Sequence, residues 1–210
     1  MISGKVYPIG IIANEMRSTI REIVQTLALT ALAFLMLQTI AKNYRVEGPS
    51  MDPGLIDSQL VIVNRAVYLN INLDRLSGYL PYVEPPDDIN FLYLFDSPKR
   101  GDIIVFRNPL EKDDPDFVKR VIGLPGERVE IKSGQVLVNR MPINEPYIQY
   151  RWWDELSPLT LGPNEFFVLG DNRSRSEDSR HFGVIHASEI IGKVWLRYWP
   201  FDQFGGIHEH

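Results

Sequence analysis

The order of apolar and polar positions divides the 210-residue chain into one uninterrupted apolar run and a long succession of short alternating segments. The run, IVQTLALTALAFLMLQTIA, occupies 23–41 and carries no charge. As a helix it spans roughly 28 Å, close to the hydrocarbon thickness of a bilayer. It predicts a transmembrane helix over 23–41, preceded by an N-terminal segment, 1–22. A buried core helix and a cleaved leader are the competing readings, and Thr39-Ile40-Ala41 is a poor cleavage signal. Beyond the run, LVIVN (60–64), GDIIVF (101–106), FVKRVIG (117–123), EFFVL (165–169) and IIGKVWLRYW (190–199) read as strands by their β-branched and aromatic content. Two alternating runs around Ser133-Gly134 predict a hairpin. The expected fold is mostly β: an antiparallel domain over 42–200 followed by a C-terminal tail, 201–210. The stretch 65–98 breaks the pattern with many tyrosines and phenylalanines, Pro85-Pro86, and acids at Glu84, Asp87 and Asp88. It reads as an insertion. Its rings Tyr68, Tyr79, Tyr82, Phe91, Tyr93 and Phe95 suit a lipid interface as well as a packed core.

Composition removes several classes of function. With 27 acidic against 22 Lys and Arg residues and a net charge of −5, the chain has no surplus of cations to bind nucleic acid. It has no cysteine, hence no disulfide framework, thiolate metal site or thiol nucleophile. Of the four histidines, His208 and His210 lie in the tail as His-Glu-His, which lacks the helical His-Glu-x-x-His spacing of a zinc peptidase. No metal and no cofactor are expected. Lys5, Arg17 and Arg21 precede the apolar run and Lys42 and Arg45 follow it, a small excess that places the N-terminus inside and the bulk of the chain outside.

Candidate chemistry begins with the two adjacent cations of the strand 117–123, Lys119 and Arg120. Strand side chains alternate faces, so Lys119 shares a face with Phe117 and Val121. A lysine among apolar neighbours loses affinity for its proton, whereas arginine stays charged. Arg120 in turn shares a face with Val118 and Ile122, so at least one of the two cations stands among apolar neighbours, and alternation leaves open which. Two polar stretches, GPSMDP (48–53) and GDNRSRSEDSR (170–180), read in isolation as a tight turn and a solvated loop. GPSMD also lacks the second glycine of the strand–turn–helix nucleophile elbow.

Taken in order behind an apolar helix, Ser50 in GPSMDP, RGDIIVF, FVKRVIGLPGE and GDNRSRSEDSR resemble the type I (leader) signal peptidases, membrane-bound serine proteases of the Ser–Lys class. The likeness covers most of 44–199. It implies Ser50 as nucleophile, Lys119 as general base, hence turned inward as a neutral amine with Arg120 outward as a charge, and Ser176 as a hydroxyl that helps orient that lysine. It implies Asp178 and Arg180 as an acidic–basic pair shaping the loop behind the site, and Asp171 and Asn172 as the turn that opens this loop. The family cuts after small residues in the Ala-x-Ala manner, and Tyr44, Val46, Met51, Leu55, Phe117 and Val118 are by position the candidates to line its two side-chain pockets. Some members carry a hydroxyl two residues before the nucleophile, where this chain has Gly48. The implied partners are signal-peptide-bearing preproteins, membrane lipid and the protein export machinery. The implied location is the cell membrane, single-pass, with the catalytic domain on the extracytoplasmic side. A self-cleaving repressor of the same chemistry would need a DNA-binding domain where this chain has an apolar run, and an inactive binding module is at odds with the presence of Ser50, Lys119 and Ser176.

Overall fold

The computed structural model describes residues 9–72, 91–111, 115–149 and 152–207. The chain separates into two units, Met1–Ile40 and Ala41–His210. The first contains one helix, α1 (Ile9–Ile40). Its stretch Arg17–Ile40, 24 residues with a mean hydropathy of 1.8 and none buried within the unit, is long and apolar enough to cross a membrane. Three hydroxyls within this stretch are satisfied locally. Thr26 donates to Glu22 O at 2.9 Å, Thr30 to Thr26 O at 2.8 Å and Thr39 to Met36 O at 2.7 Å, so they present no unpaired donor to an apolar surrounding.

The second unit is mostly antiparallel β. Its main sheet places β1 (Ala41–Arg45), β2 (Leu60–Asn64), β13 (Ile190–Trp199), β5 (Ile103–Phe106), β6 (Phe117–Gly123), β11 (Glu165–Leu169) and β12 (Ile185–His186) side by side, with β14 (Gly205–Gly206) against β13. A four-stranded sheet adds β10 (Leu156–Thr160), β7 (Arg128–Lys132), β8 (Gln135–Val138) and β9 (Met141–Pro142) in that order. The expected hairpin is β7–β8, with Ser133 and Gly134 at φ 50° and 76° in its turn. Three apolar clusters hold the unit together. One lies between the small sheet and β11 around Ile131 and Phe167, one under β1, β2 and β5 around Met51 and Val63, and one around Phe106 and Val168.

The ends of the 65–98 stretch pair as a ribbon, β3 (Asn70–Asn72) with β4 (Phe91–Tyr93). Tyr79 and Tyr82 lie outside the described residues. For two of the other rings the structure favours the packed core over a lipid surface. Tyr68 is 5% exposed and donates to Asp102, a buried carboxylate that also pairs with Lys193 at 2.7 Å, and Tyr93 packs on the third cluster. Phe95 is exposed. In the 201–210 tail, Phe201–Gln203 forms a 3-10 turn and Gly205–Gly206 returns to pair with β13.

Candidate active site

The site forms where β6 parts from a neighbour. β6 pairs with β5 from Phe106↔Phe117 to Ile103↔Arg120, but with β11 only from Leu169↔Arg120 to Phe167↔Gly123. Among the described residues, 117–119 therefore keep one free edge. β1 is the terminal strand of the same sheet. A cleft of about 890 Å³ runs between them, floored by Val61 and Val105 and walled by residues 42–47 and 115–119.

Ser50 sits in this cleft on a loop whose neck is closed twice, by Val46 N–H to Gln59 O and Ser58 N–H to Val46 O, both 2.8 Å. A third tie crosses the loop, from Gly48 N–H to Asp57 Oδ1 at 2.7 Å, and it holds the Asp57 carboxyl below the usual carboxylate range. Gly48 has φ +80°, a conformation a serine side chain would strain. From the other side, Asn172 N–H donates to Ser50 O at 3.1 Å.

Lys119 is 4% exposed, and its Nζ lies 3.0 Å from Ser50 Oγ and donates to Val118 O at 2.9 Å. The Phe117 ring centroid is 5.2 Å from the same nitrogen. Burial pulls the amine down to about 8, against the opposing influence of the Asp178, Glu177 and Asp171 charges. A serine hydroxyl beside a largely desolvated amine of this kind can pass its proton to nitrogen and attack an acyl carbon.

Arg120 departs from expectation. It is not the solvent-facing charge but is 2% exposed, as buried as Lys119 on the opposite face of β6. The reason is a partner 51 residues away: Nε and Nη2 meet both oxygens of Asp171 at 2.8 and 2.7 Å, Nη1 reaches Gly101 O at 2.8 Å, and the guanidinium lies 4.0 Å over the Tyr147 ring. A buried arginine satisfied in this way keeps its charge at tolerable cost.

The 170–180 loop closes the site from behind. Asp178 accepts from Gly170 N–H at 3.0 Å and pairs with Arg180 at 2.8 Å, and Arg180 Nη2 also reaches Arg173 O at 2.7 Å. Ser176 Oγ is buried and makes no hydrogen bond among the described residues, so Lys119 is held here by Ser50 and Val118 alone. Gly170 permits the close approach of the two loops: a Cβ there would sit 2.2 Å from Ser176 Oγ and 2.4 Å from Ser50 O.

Of the pocket candidates, Tyr44, Val46, Phe117 and Val118 line the cleft, whereas Met51 and Leu55 are fully buried in the cluster beneath it. Asp57, Glu177 and Gly170 escaped the sequence reading. Only Gly170 left a signal, as the first residue of the GDN turn. Among the described residues no three His, Asp or Glu side chains gather as a metal-binding group.

A family model described as "Signal peptidase, peptidase S26" matches residues 19–199. The signal peptidase I of Bacillus caldolyticus is 38% identical over 179 residues, covering 79% of this chain and 83% of that protein. The signal peptidase IB of Staphylococcus aureus strain COL is 33% identical over 206 residues, covering 88% and 93%. The signal peptidase I of Leptolyngbya laminosa is 42% identical over 141 residues, covering 61% and 68%. A crystal structure of a signal peptidase I from Enterococcus faecalis V583 shares 32% identity, covers 47% of this chain and 97% of that one, and superposes with a TM-score of 0.43.

Proposed function

Since the chain belongs to the signal peptidase family, peptidase S26, we propose that Ser50 and Lys119 are the pair with which it works. The protein is a membrane-associated serine peptidase that removes signal peptides from preproteins. The observation that carries the assignment of the pair is the 3.0 Å contact between the Ser50 hydroxyl and a buried amine.

In the forward reaction the neutral Lys119 amine takes the proton of Ser50 Oγ as Oγ bonds to the scissile carbonyl carbon. The Ser50 backbone N–H is the family's donor to the resulting oxyanion, and Gly48 brings no second hydroxyl. Lys119 then returns its proton to the departing amine, leaving an ester on Ser50. A water attacks that ester, Lys119 takes a proton from it, and the proton passes to Ser50 Oγ as the acyl group leaves. Asp171, Asn172, Asp178 and Arg180 hold the loop that supports Ser50 O, and Ser176 stands behind the pair as a further hydroxyl.

The substrate lies extended along the free edge of 117–119, in the manner of an added strand. Tyr44, Val46, Phe117 and Val118 favour small side chains near the cut, as in Ala-x-Ala. Segment 1–22 is cytoplasmic, 23–41 spans the membrane, and 42–200 works on the extracytoplasmic side on preproteins delivered by the export machinery. The exposed rings of Trp195, Trp199, Phe201 and Phe204 support lipid contact by this domain. The test is processing of an Ala-x-Ala precursor by the detergent-solubilised protein. Ser50→Ala and Lys119→Ala should each abolish cleavage and Lys119→Arg should not restore it; substantial cleavage by either alanine variant would remove the mechanism.

A further inference from the structure

The two walls of the cleft are tied to each other. Tyr44 on β1 donates its hydroxyl to Asp116 Oδ2 at 2.9 Å, joining residues 72 positions apart. Both line the cleft. The phenol is held from several directions: Lys42 Nζ stands 4.5 Å from the ring centroid, and the ring packs on the cluster that includes Val46, Val61 and Val105, beside Val118. A tyrosine hydroxyl is protonated at neutral pH and therefore a donor, and burial raises the Tyr44 pKa further.

Position gives this tie a meaning. Asp116 precedes Lys119 by three residues of extended chain, a span of roughly 10 Å. A substrate laid along 117–119 rises at the same rate. Laid parallel to β6 with its scissile carbonyl at Ser50, it carries the third side chain before the cut two residues back, roughly 7 Å, level with Phe117 and next to Asp116 and Tyr44 at that end of the cleft. We propose that the Tyr44–Asp116 hydrogen bond is a strap across the cleft that sets the largest side chain accepted three residues before the cut. This deepens the functional reading above and rests on Ser50 and Lys119 being the reacting pair. The strap works by holding the ring in place: with the phenol pinned to the opposite wall, a bulky substrate side chain cannot displace it. Without the tie the ring can turn aside and the end of the cleft opens. Nothing in the local sequence announces this role for Asp116, which stands in the acidic run EKDDPD.

The experiment uses the full-length protein in detergent and three fluorogenic peptides that differ only at the third residue before the cut: Ala, Leu or Phe. The readout is the kcat/KM ratio of the Leu or Phe peptide to the Ala peptide, in which a general loss of active enzyme cancels. Asp116→Ala and Tyr44→Phe should each raise the ratio by about tenfold, the scale on which apolar pockets discriminate small differences in bulk. Asp116→Asn, whose amide oxygen can still accept from the phenol, should keep the ratio near that of the unaltered protein. Unchanged ratios in both Asp116→Ala and Tyr44→Phe overturn the strap, as does a rise in Asp116→Asn equal to that in Asp116→Ala. Ser50→Ala runs in the same assay. Residual cleavage by that variant sinks the assignment of the reacting pair itself, so the two failures are told apart.

Discussion

Replacing Lys119 with methionine should stabilise the β unit near neutral pH, by an amount that shrinks as the pH rises. The folded protein holds the lysine proton with a pKa of about 8, against an ordinary value of 10.5. The unfolded chain therefore binds more protons than the folded one between these two values, and stability contributed by this group rises with pH through that window. Below pH 8 the full penalty of the buried ammonium applies. At pH 7 it amounts to about 3 kcal/mol, and by pH 9.5 about 2 kcal/mol of it has been relieved. Methionine is close in shape and carries no proton, so the variant escapes the penalty at every pH. It also loses the contacts of Nζ with Ser50 and Val118, an offset that drops out when the difference between the two proteins is compared at two pH values. The remaining ionisable groups titrate in both proteins and largely cancel. All four tryptophans, at 152, 153, 195 and 199, belong to the β unit, so urea unfolding followed by tryptophan fluorescence in detergent reports on that unit. The variant's advantage should fall by about 2 kcal/mol between pH 7 and 9.5. A pH-independent difference would mean that Lys119 keeps an ordinary pKa and that its burial has not prepared it as a base.

The same ionisation should govern turnover: kcat/KM should climb about tenfold per pH unit below a limb near 8, since only about one Lys119 in eleven is neutral at pH 7. Because the Glu177 charge pulls the Lys119 pKa upward, Glu177→Gln should move this limb to lower pH; a stationary or rising limb in the pH–rate profile would contradict that. Gly170→Ala should cost about a hundredfold in kcat, because its new methyl collides with Ser176 Oγ and Ser50 O and displaces the nucleophile. A near-normal kcat in a folded Gly170→Ala protein, judged by circular dichroism, would show that the two loops do not need this close approach.

What could be read from the sequence was local. The Ser133-Gly134 turn lies between runs that pair with each other, so the hairpin was visible from its own residues. Strand alternation required one buried cation in β6 without saying which, and the inward face of Lys119 came from its likeness to a general base. The outward Arg120 that came with it does not hold, because a strand in the middle of a sheet buries both faces and its partner Asp171 lies in a loop that no local pattern connects to it. The rings of 65–98 were ambiguous for a similar reason: the carboxylate that draws Tyr68 inward is Asp102, 34 residues further on. Met51 and Leu55 follow Ser50 closely, yet the loop turns them beneath the cleft rather than into it, a choice made by the packing of Val63 and Val194 around them. The return of Gly205–Gly206 to β13 carries no apolar signature at all, since it rests on backbone pairing.

The adjacent cations of β6 turn the alignment of one strand against its neighbour into a chemical choice. With Ile104 opposite Lys119 and Ile103 opposite Arg120, the amine meets the serine and the guanidinium meets Asp171. A slip of a single residue would exchange the two faces. The serine would then meet a group that never gives up its proton, and Asp171 would be left with a point charge in place of a planar fork. Length can vary in the acidic run before β6 without touching this arrangement, whereas one residue added or removed between Val118 and Gly123 would invert it. The ladder between β5 and β6 thus acts as a reading frame, and the chemistry is written in only one of its two phases.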